Sequence, residues 1–339
     1  MKLSILIPMY NAEKYIGNCI TSLINQDVPK DDYEILVLDD GSVDDSVKIV
    51  QEFIHVNDNI HLYTQSNKGL YATRNKLLRL AKGIYIYNID ADDYIVYNSL
   101  SLLLDRAFEY NADIVGFNSL KTRQLDLFKS NSEKETEIMI YKGIDFLSKT
   151  KHFNITVWWY FVRKDFIYEN SIYFEEDNPF EDGPFSLRAM FYAKKIIYLP
   201  IDVHRYVQVP SSIMNNNSQN HSRRIIDDYI NVTYSFNKLL AEFSNKKKNI
   251  PHEILNKVKF FRDVNIYYMF FRIIKANISI KKVDGILNEF ETLGAYPISY
   301  FIENKLHKTT IYLFNHKYLF YTFLYPLRIL YKSKVLKFF

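Results

Sequence analysis

The sequence predicts an α/β fold: a mostly parallel central sheet flanked by helices, continued by a helical C-terminal extension. Three observations carry this. Apolar, strand-like runs alternate with helical apolar spacing at intervals of about 25 residues through the first hundred positions, as βαβ units do. Each apolar run ends in a polar turn, and in a parallel sheet such turns share the edge where ligands bind. Beyond Ser222 the spacing is helical with no clear strand.

Leu3–Pro8 reads as a buried strand stopped by its proline. Asn11 lies in the turn, and Ile16, Cys19, Ile20, Leu23 and Ile24 then recur at helical spacing. Tyr33–Leu38 is a second strand, and Asp44 and Asp45 open the next helix, where negative charge suits the dipole. Ile60–Tyr63 is a third strand. Asn67–Gly69 forms a turn before a helix that reaches Ala81, and Ile84–Asp90 is a fourth strand. A helix over Ser99–Tyr110 and a strand over Ile114–Asn118 follow, then a polar loop over Lys121–Thr136. After the aromatic cluster Val157–Phe161 and the acidic run Phe174–Asp182, a helix runs on from Pro184. Ile196–Leu199 and Val203–Val207 read as two further strands, and Lys246–Lys248 as an exposed loop. A boundary near residue 220 separates a domain over residues 1–220 from a helical region over residues 221–339.

A chain of 339 residues, 48% of them hydrophobic, can bury a large core. Nine glycines and nine prolines leave little room for long flexible linkers. The net charge of +4 makes no case for nucleic acid. The single cysteine, Cys19, excludes an internal disulfide and a cysteine-rich metal site, and its apolar neighbours suggest a buried structural thiol. The first apolar run is too short for a secretory signal, and no stretch of about 20 apolar residues appears, so a cytoplasmic chain is expected.

The stretch with most chemical content is Ile84–Tyr94, an apolar and aromatic run that ends in Asp90, Asp92 and Asp93. Carboxylates this close repel one another, and a hard divalent cation, Mn²⁺ or Mg²⁺, is the commonest reason to gather them. The alternative is a solvated acidic turn. Asp39-Asp40-Gly41-Ser42 ends another strand: a carboxylate there can accept from a nucleobase or ribose, or simply make a capped turn. Arg74, one turn into its helix, suits a diphosphate or a surface ion pair. Trp158 or Trp159 can form an apolar platform for a sugar ring or pack in the core. Arg205 could reach a diphosphate, but for it and His204 an ordinary exposed strand position is expected.

Taken in order, these groups resemble the family 2 inverting glycosyltransferases. The resemblance rests on Ser4–Asn11, Asp39–Asp44, Asn67–Leu70 with Arg74-Asn75, Gly83 through Asp93, and Glu181–Phe185 with Arg188, covering about residues 1–215. It implies a GT-A, Rossmann-like fold and transfer of a sugar from a nucleoside diphosphate sugar, a uridine one being expected, to a saccharide acceptor. It implies that residues 1–120 bind the donor and 121–220 hold the acceptor and the base. Donor contacts would come from Pro8, Tyr10, Asn11, Asp40, Asn67, Gly69, Arg74, Asp90, Ala91 and Asp92. Metal contacts would come from Asp92 and Asp90, with Asp93 able to share the role. Asp182 would be the general base, and Glu181, Trp158 and Trp159 would face the acceptor. The sequence departs from the family where Trp159 and Tyr160 replace polar residues after the first Trp.

From Asn304 onward there are seven Lys/Arg, no Asp or Glu, and many Tyr, Phe and Leu. Such a segment can lie in an anionic membrane interface, which would suit a lipid-linked acceptor in surface polysaccharide assembly and a peripheral place on the inner face of the cell membrane. The alternative is a docking helix with a solvated basic face. Two rivals to the enzyme are weak: a receiver domain has no phosphoacceptor Asp and Lys in register here, and no G-x-G-x-x-G follows the first strand as a dinucleotide-binding oxidoreductase requires. A catalytically inactive sugar- or membrane-binding scaffold on the same fold is the remaining alternative.

Overall fold

The computed structural model describes residues 1–130, 132, 137–151, 153–176, 180–209, 218–246, 250–299 and 305–333. The elements run β1 (Leu3–Met9), α1 (Ile16–Ile24), β2 (Tyr33–Asp39), α2 (Ser46–Ile54), β3 (Ile60–Thr64), α3 (Leu70–Leu80), β4 (Tyr85–Asn88), β5 (Tyr94–Ile95), α4 (Leu100–Tyr110) and β6 (Ile114–Thr122). There follow β7 (Met139–Tyr141), α5 (Gly143–Lys149), β8 (Tyr160–Arg163), α6 (Lys164–Glu169), α7 (Asp182–Tyr192) and β9 (Ile196–Val207). Five helices close the chain: α8 (Gln219–Lys246), α9 (His252–Ala276), α10 (Ile280–Thr292), α11 (Lys305–Asn315) and α12 (Lys317–Lys332).

Among the described residues one nine-stranded sheet is ordered β3-β2-β1-β4-β8-β6-β9-β5, with β7 also on β9. β1, β2, β3 and β4 pair in parallel, β8 runs antiparallel between β4 and β6, and β6 pairs parallel with β9. Six strands therefore point one way, and the sheet is mostly parallel. Its core follows the helical spacing of the sequence: Ile16, Cys19, Ile20 and Leu23 of α1 pack with Leu3, Ile5 and Ile7 of β1 and with Leu100, Leu103 and Leu104 of α4.

Several boundaries differ from expectation. Pro8 does not end β1 but pairs in register with Leu38. Alternate residues of β1 bond to opposite neighbours, so the donor that Pro8 lacks would face β4, whose pairing has already stopped at Leu6. The two strands expected over Ile196–Val207 are one, β9, and the irregularity that splits the pattern is a register shift against Phe117–Ser119. β6 runs on through Lys121 and Thr122, which were expected in a loop; the rest of that loop falls partly outside the described residues, as do Lys247 and Lys248. The short elements β5, β7, β8, α5 and α6 carry too few residues to show a period.

Contacts divide the chain into two compact units, one of Met1–Asp177 with Phe185–Pro210 and one of Asn178–Pro184 with Ser211–Phe339. In the second unit α8 and α9 bury Val232, Phe236, Leu239 and Phe243 together with Ile254, Val258, Ile266 and Phe270.

Candidate active site

The loops after β1, β2, β3 and β4 meet at the carboxyl edge of the sheet and are joined by hydrogen bonds. Asn11, in the left-handed region at φ 50°, links the first two: its N–H donates to Ser42 Oγ at 2.9 Å and its Oδ1 accepts from Val43 N at 2.9 Å. Tyr10 beside it is exposed, and Pro8 is buried. Asp39 accepts from the N–H groups of Gly41 and Ser42, folding the turn on itself. Gly41 sits at φ +83°, where a Cβ would lie 3.1 Å from Asn67 N, so the second and third loops touch through bare backbone.

Asp40 then ties the second loop to the third. Its Oδ1 accepts from Gln65 Nε2 at 2.9 Å and Lys68 N at 2.8 Å, and its Oδ2 from Gly69 N at 2.8 Å. Sequence reasoning assigned Asp40 to the nucleoside; in the structure both its oxygens brace the turn that holds Asn67 and Gly69. The third loop reaches the fourth through Arg74. This guanidinium, 1% exposed, donates to Asp90 Oδ1 at 2.7 Å and lies 5.5 Å and 5.6 Å from the rings of Tyr71 and Phe174.

Asp90, Ala91, Asp92 and Asp93 form a tight turn, closed by Asp93 N donating to Asp90 O at 3.0 Å, and the chain re-enters the sheet at β5. One oxygen from each of the three carboxylates lies within 4.8 Å of the others. Cys19 is buried beneath the turn, its Sγ 3.8 Å from Asp90 O, and burial with the three nearby carboxylates pushes its thiol pKa up.

The three carboxylates are not equivalent. Asp93 faces the protein: Oδ1 accepts from Val207 N at 2.8 Å, and Oδ2 lies 3.0 Å from His204 Nε2. Burial, then the Asp90 charge, pushes its pKa well up. Asp93 thus has both oxygens hydrogen-bonded to the protein, whereas Asp92 does not, although all three carboxylates stand within reach of one ion. Asp92 receives no hydrogen bond from any other described residue, and burial with the charges of Asp93 and Asp90 raises its pKa to about 8. Such a carboxylate stays charged at neutral pH only with added positive charge. A hard oxygen donor set of this kind fits Mn²⁺ or Mg²⁺ on Asp92 with the remaining oxygen of Asp90.

His204 and Arg205 are not exposed strand residues; both are fully buried. His204 Nδ1 bonds the Tyr87 hydroxyl at 2.8 Å while Nε2 faces Asp93, and Trp158 stacks on the imidazole at 4.6 Å. Burial lowers the His204 pKa to about 3, so it is a neutral strut. Arg205 donates to Asp202 at 2.6 Å and to the carbonyls of Leu127 and Lys129, so each of its three guanidinium nitrogens is engaged within the protein. Strand alternation assigns such residues to a face but cannot show what covers it.

The proposed acceptor groups are mixed. Trp158 and Trp159 both lie in the packed interior. Trp158 stacks on His204 and Tyr206, and Trp159 packs over Gly116 with its Nε1 donating to Asn154 O at 2.8 Å. Asp182 is half-buried as the first residue of α7, and Glu181 before it is fully buried. Both belong to the second unit. The segment leading toward them is held by Asn75, which donates to Phe174 O at 2.9 Å and Glu176 Oε1 at 3.0 Å and accepts from Phe174 N at 3.1 Å. Phe174 stacks on Phe185 of α7 at 4.0 Å.

Comparison with known proteins gives the family and the fold. The family model described as glycosyl transferase family 2 matches residues 4–176. The chain is 30% identical over 223 residues to the uncharacterized glycosyltransferase EpsJ of Bacillus subtilis (strain 168), covering 62% of each. It is 30% identical over 213 residues to the poly(ribitol-phosphate) beta-N-acetylglucosaminyltransferase TarS of Staphylococcus aureus (strain MW2), covering 61% of this chain and 35% of that one. The match thus spans less than two thirds of either relative. The crystal structure of S. aureus TarS 1-349 in complex with UDP superposes with a TM-score of 0.67 at 19% identity, over 98% of this chain and 92% of that one. The fold is GT-A, and the chain belongs to glycosyl transferase family 2.

Proposed function

We propose that the chain transfers a sugar from a nucleoside diphosphate sugar, a uridine one, to a hydroxyl of a saccharide acceptor, with inversion at the anomeric carbon. The observation that carries this is the Asp90–Asp92–Asp93 cluster at the carboxyl edge of a family 2 sheet. The donor class is supported by TarS, whose fragment 1-349 has been crystallised in complex with UDP and with UDP-GlcNAc.

In this reading residues 1–120 hold the donor, residues 121–220 the acceptor and the base, and residues 221–339 form the helical region. Tyr10, Asn11, Asn67 and Gly69 line the nucleoside side, braced by Asp40. Asp90 and Asp92 would hold a divalent cation, which when bound would offset charge on the departing diphosphate. Arg74 keeps Asp90 aimed, and the Tyr87–His204–Asp93 chain tethers the far side of the turn. Asp182 accepts the acceptor proton as the new bond forms, with Glu181 beside it. The acceptor is a saccharide carried on a lipid, a class read from the basic aromatic segment after residue 304.

The test is calorimetry of UDP-, GDP- and CDP-sugars with and without Mn²⁺, on the wild type and on Asp182→Asn. One uridine sugar should bind in a metal-dependent manner to both proteins, and Asp182→Asn should lose transfer by about a hundredfold or more. Near-normal transfer by the variant removes Asp182 as the base, and no nucleotide binding under any condition sinks the enzyme reading.

A further inference from the structure

α12 is apolar on two sides. Its inner side is fully used: Phe320 and Leu324 are buried, Phe320 packs on Phe270 of α9 at 5.0 Å, and Phe314 of α11 stacks on Phe270 at 4.4 Å. Polar contacts pin the same side. Lys317 Nζ binds Glu291 at 2.7 Å, the Tyr321 hydroxyl donates to Asp284 at 2.8 Å, and Arg328 donates to the Ile278 carbonyl at 2.7 Å.

The outer side is where a docked surface helix places its charges, as α10 does with exposed Lys281, Lys282, Glu289 and Glu291. α12 instead exposes Tyr318 (88%), Tyr325 (72%), Phe323, Ile329 and Leu330. Tyr318, Thr322, Tyr325 and Ile329 follow one another at helical spacing, so the exposed groups form a stripe. Lys308 and Lys332 stand exposed in the same pair of helices, and no carboxylate occurs after residue 303.

We propose that this outer face of α12 is a docking surface for an anionic lipid bilayer. Tyrosine and phenylalanine side chains suit the level of the lipid headgroups, and lysines without neighbouring carboxylates match a negative surface. The helix has 16 residues, fewer than the roughly 20 needed to span a bilayer, and no described helix is long and apolar enough to cross one. It would therefore lie in the interface plane. The proposal deepens the lipid-linked acceptor reading. Its failure is separable from that of the transferase reading, because vesicle binding and donor binding are read by separate experiments.

The experiment is co-sedimentation of the full chain with vesicles of phosphatidylcholine and phosphatidylglycerol in equal parts, against pure phosphatidylcholine, in low and high salt. The partition coefficient should be on the order of tenfold higher on the anionic vesicles and should fall in about 1 M salt. The triple variant Tyr318→Ser, Tyr325→Ser, Ile329→Ser should lose on the order of tenfold in partition while keeping its melting temperature and its donor binding. Lys308→Glu with Lys332→Glu should weaken anionic binding by about fivefold per lysine. No sedimentation of the wild type with anionic vesicles overturns the proposal, as does wild-type partition by the triple variant. A dimer that the triple variant dissolves, without vesicle binding, would assign the face to a second copy of the chain instead.

Discussion

The state of Asp92 gives the sharpest prediction. Its folded pKa is raised from 3.8 to about 8 by burial and by Asp93 and Asp90, with Arg74 committed to Asp90 and His204 neutral. A raised carboxylate favours folding when protonated, so its contribution is fully present below about pH 3.8 and is lost as pH rises through about 8. The full penalty is about 6 kcal/mol at 1.36 kcal/mol per pKa unit, an upper bound because water and counter-ions screen a group that is not fully buried. Asp92→Asn removes the charge and should make the metal-free chain more stable near pH 8 by about 2 kcal/mol, roughly 2 °C per kcal/mol in melting temperature. A bound cation should do the same for the wild type, by about 2.7 kcal/mol at a hundredfold excess over Kd. Because the proton must leave first, Mn²⁺ affinity should be up to about a hundredfold weaker near pH 6 than near pH 8. Thermal unfolding with and without Mn²⁺ at the two pH values measures all three effects. An equal Mn²⁺ shift in Asp92→Asn, or a wild-type shift as large near pH 6 as near pH 8, would refute the reasoning.

Two further outcomes follow from the packing. Asn75→Ala leaves the buried backbone of Phe174 without its partners and should cost about 1–3 kcal/mol, with a fall in transfer exceeding any fall in donor affinity; urea unfolding and steady-state kinetics read the two. Gly83→Ala places a Cβ 2.4 Å from Ser4 N and 2.5 Å from Leu3 C, both backbone atoms that cannot step aside, and should destabilise by more than about 2 kcal/mol in the same unfolding experiment.

By itself the sequence determined what is local and periodic. Apolar runs and helical spacing specify the elements from β1 to α4, β5 excepted, within a few residues, and the parallel order of these units places the turns at Asn11, Asp40, Gly69 and Asp90 on one edge. The acidic cluster was legible because three carboxylates crowd one strand end, a pattern burial alone does not favour. Only the tertiary structure decided how those groups are used. Asp93 and His204 are 111 residues apart and Asn75 and Phe174 are 99 apart, so nothing in either local pattern announces the pairing. Likewise Asp40 turned inward to brace a loop and Trp158 inward to stack on His204, since a side chain's partner depends on which distant element covers its face. The same holds for α12, where composition gave the basic aromatic character but packing against α9 and α10 decided which stripe was buried and which stayed bare.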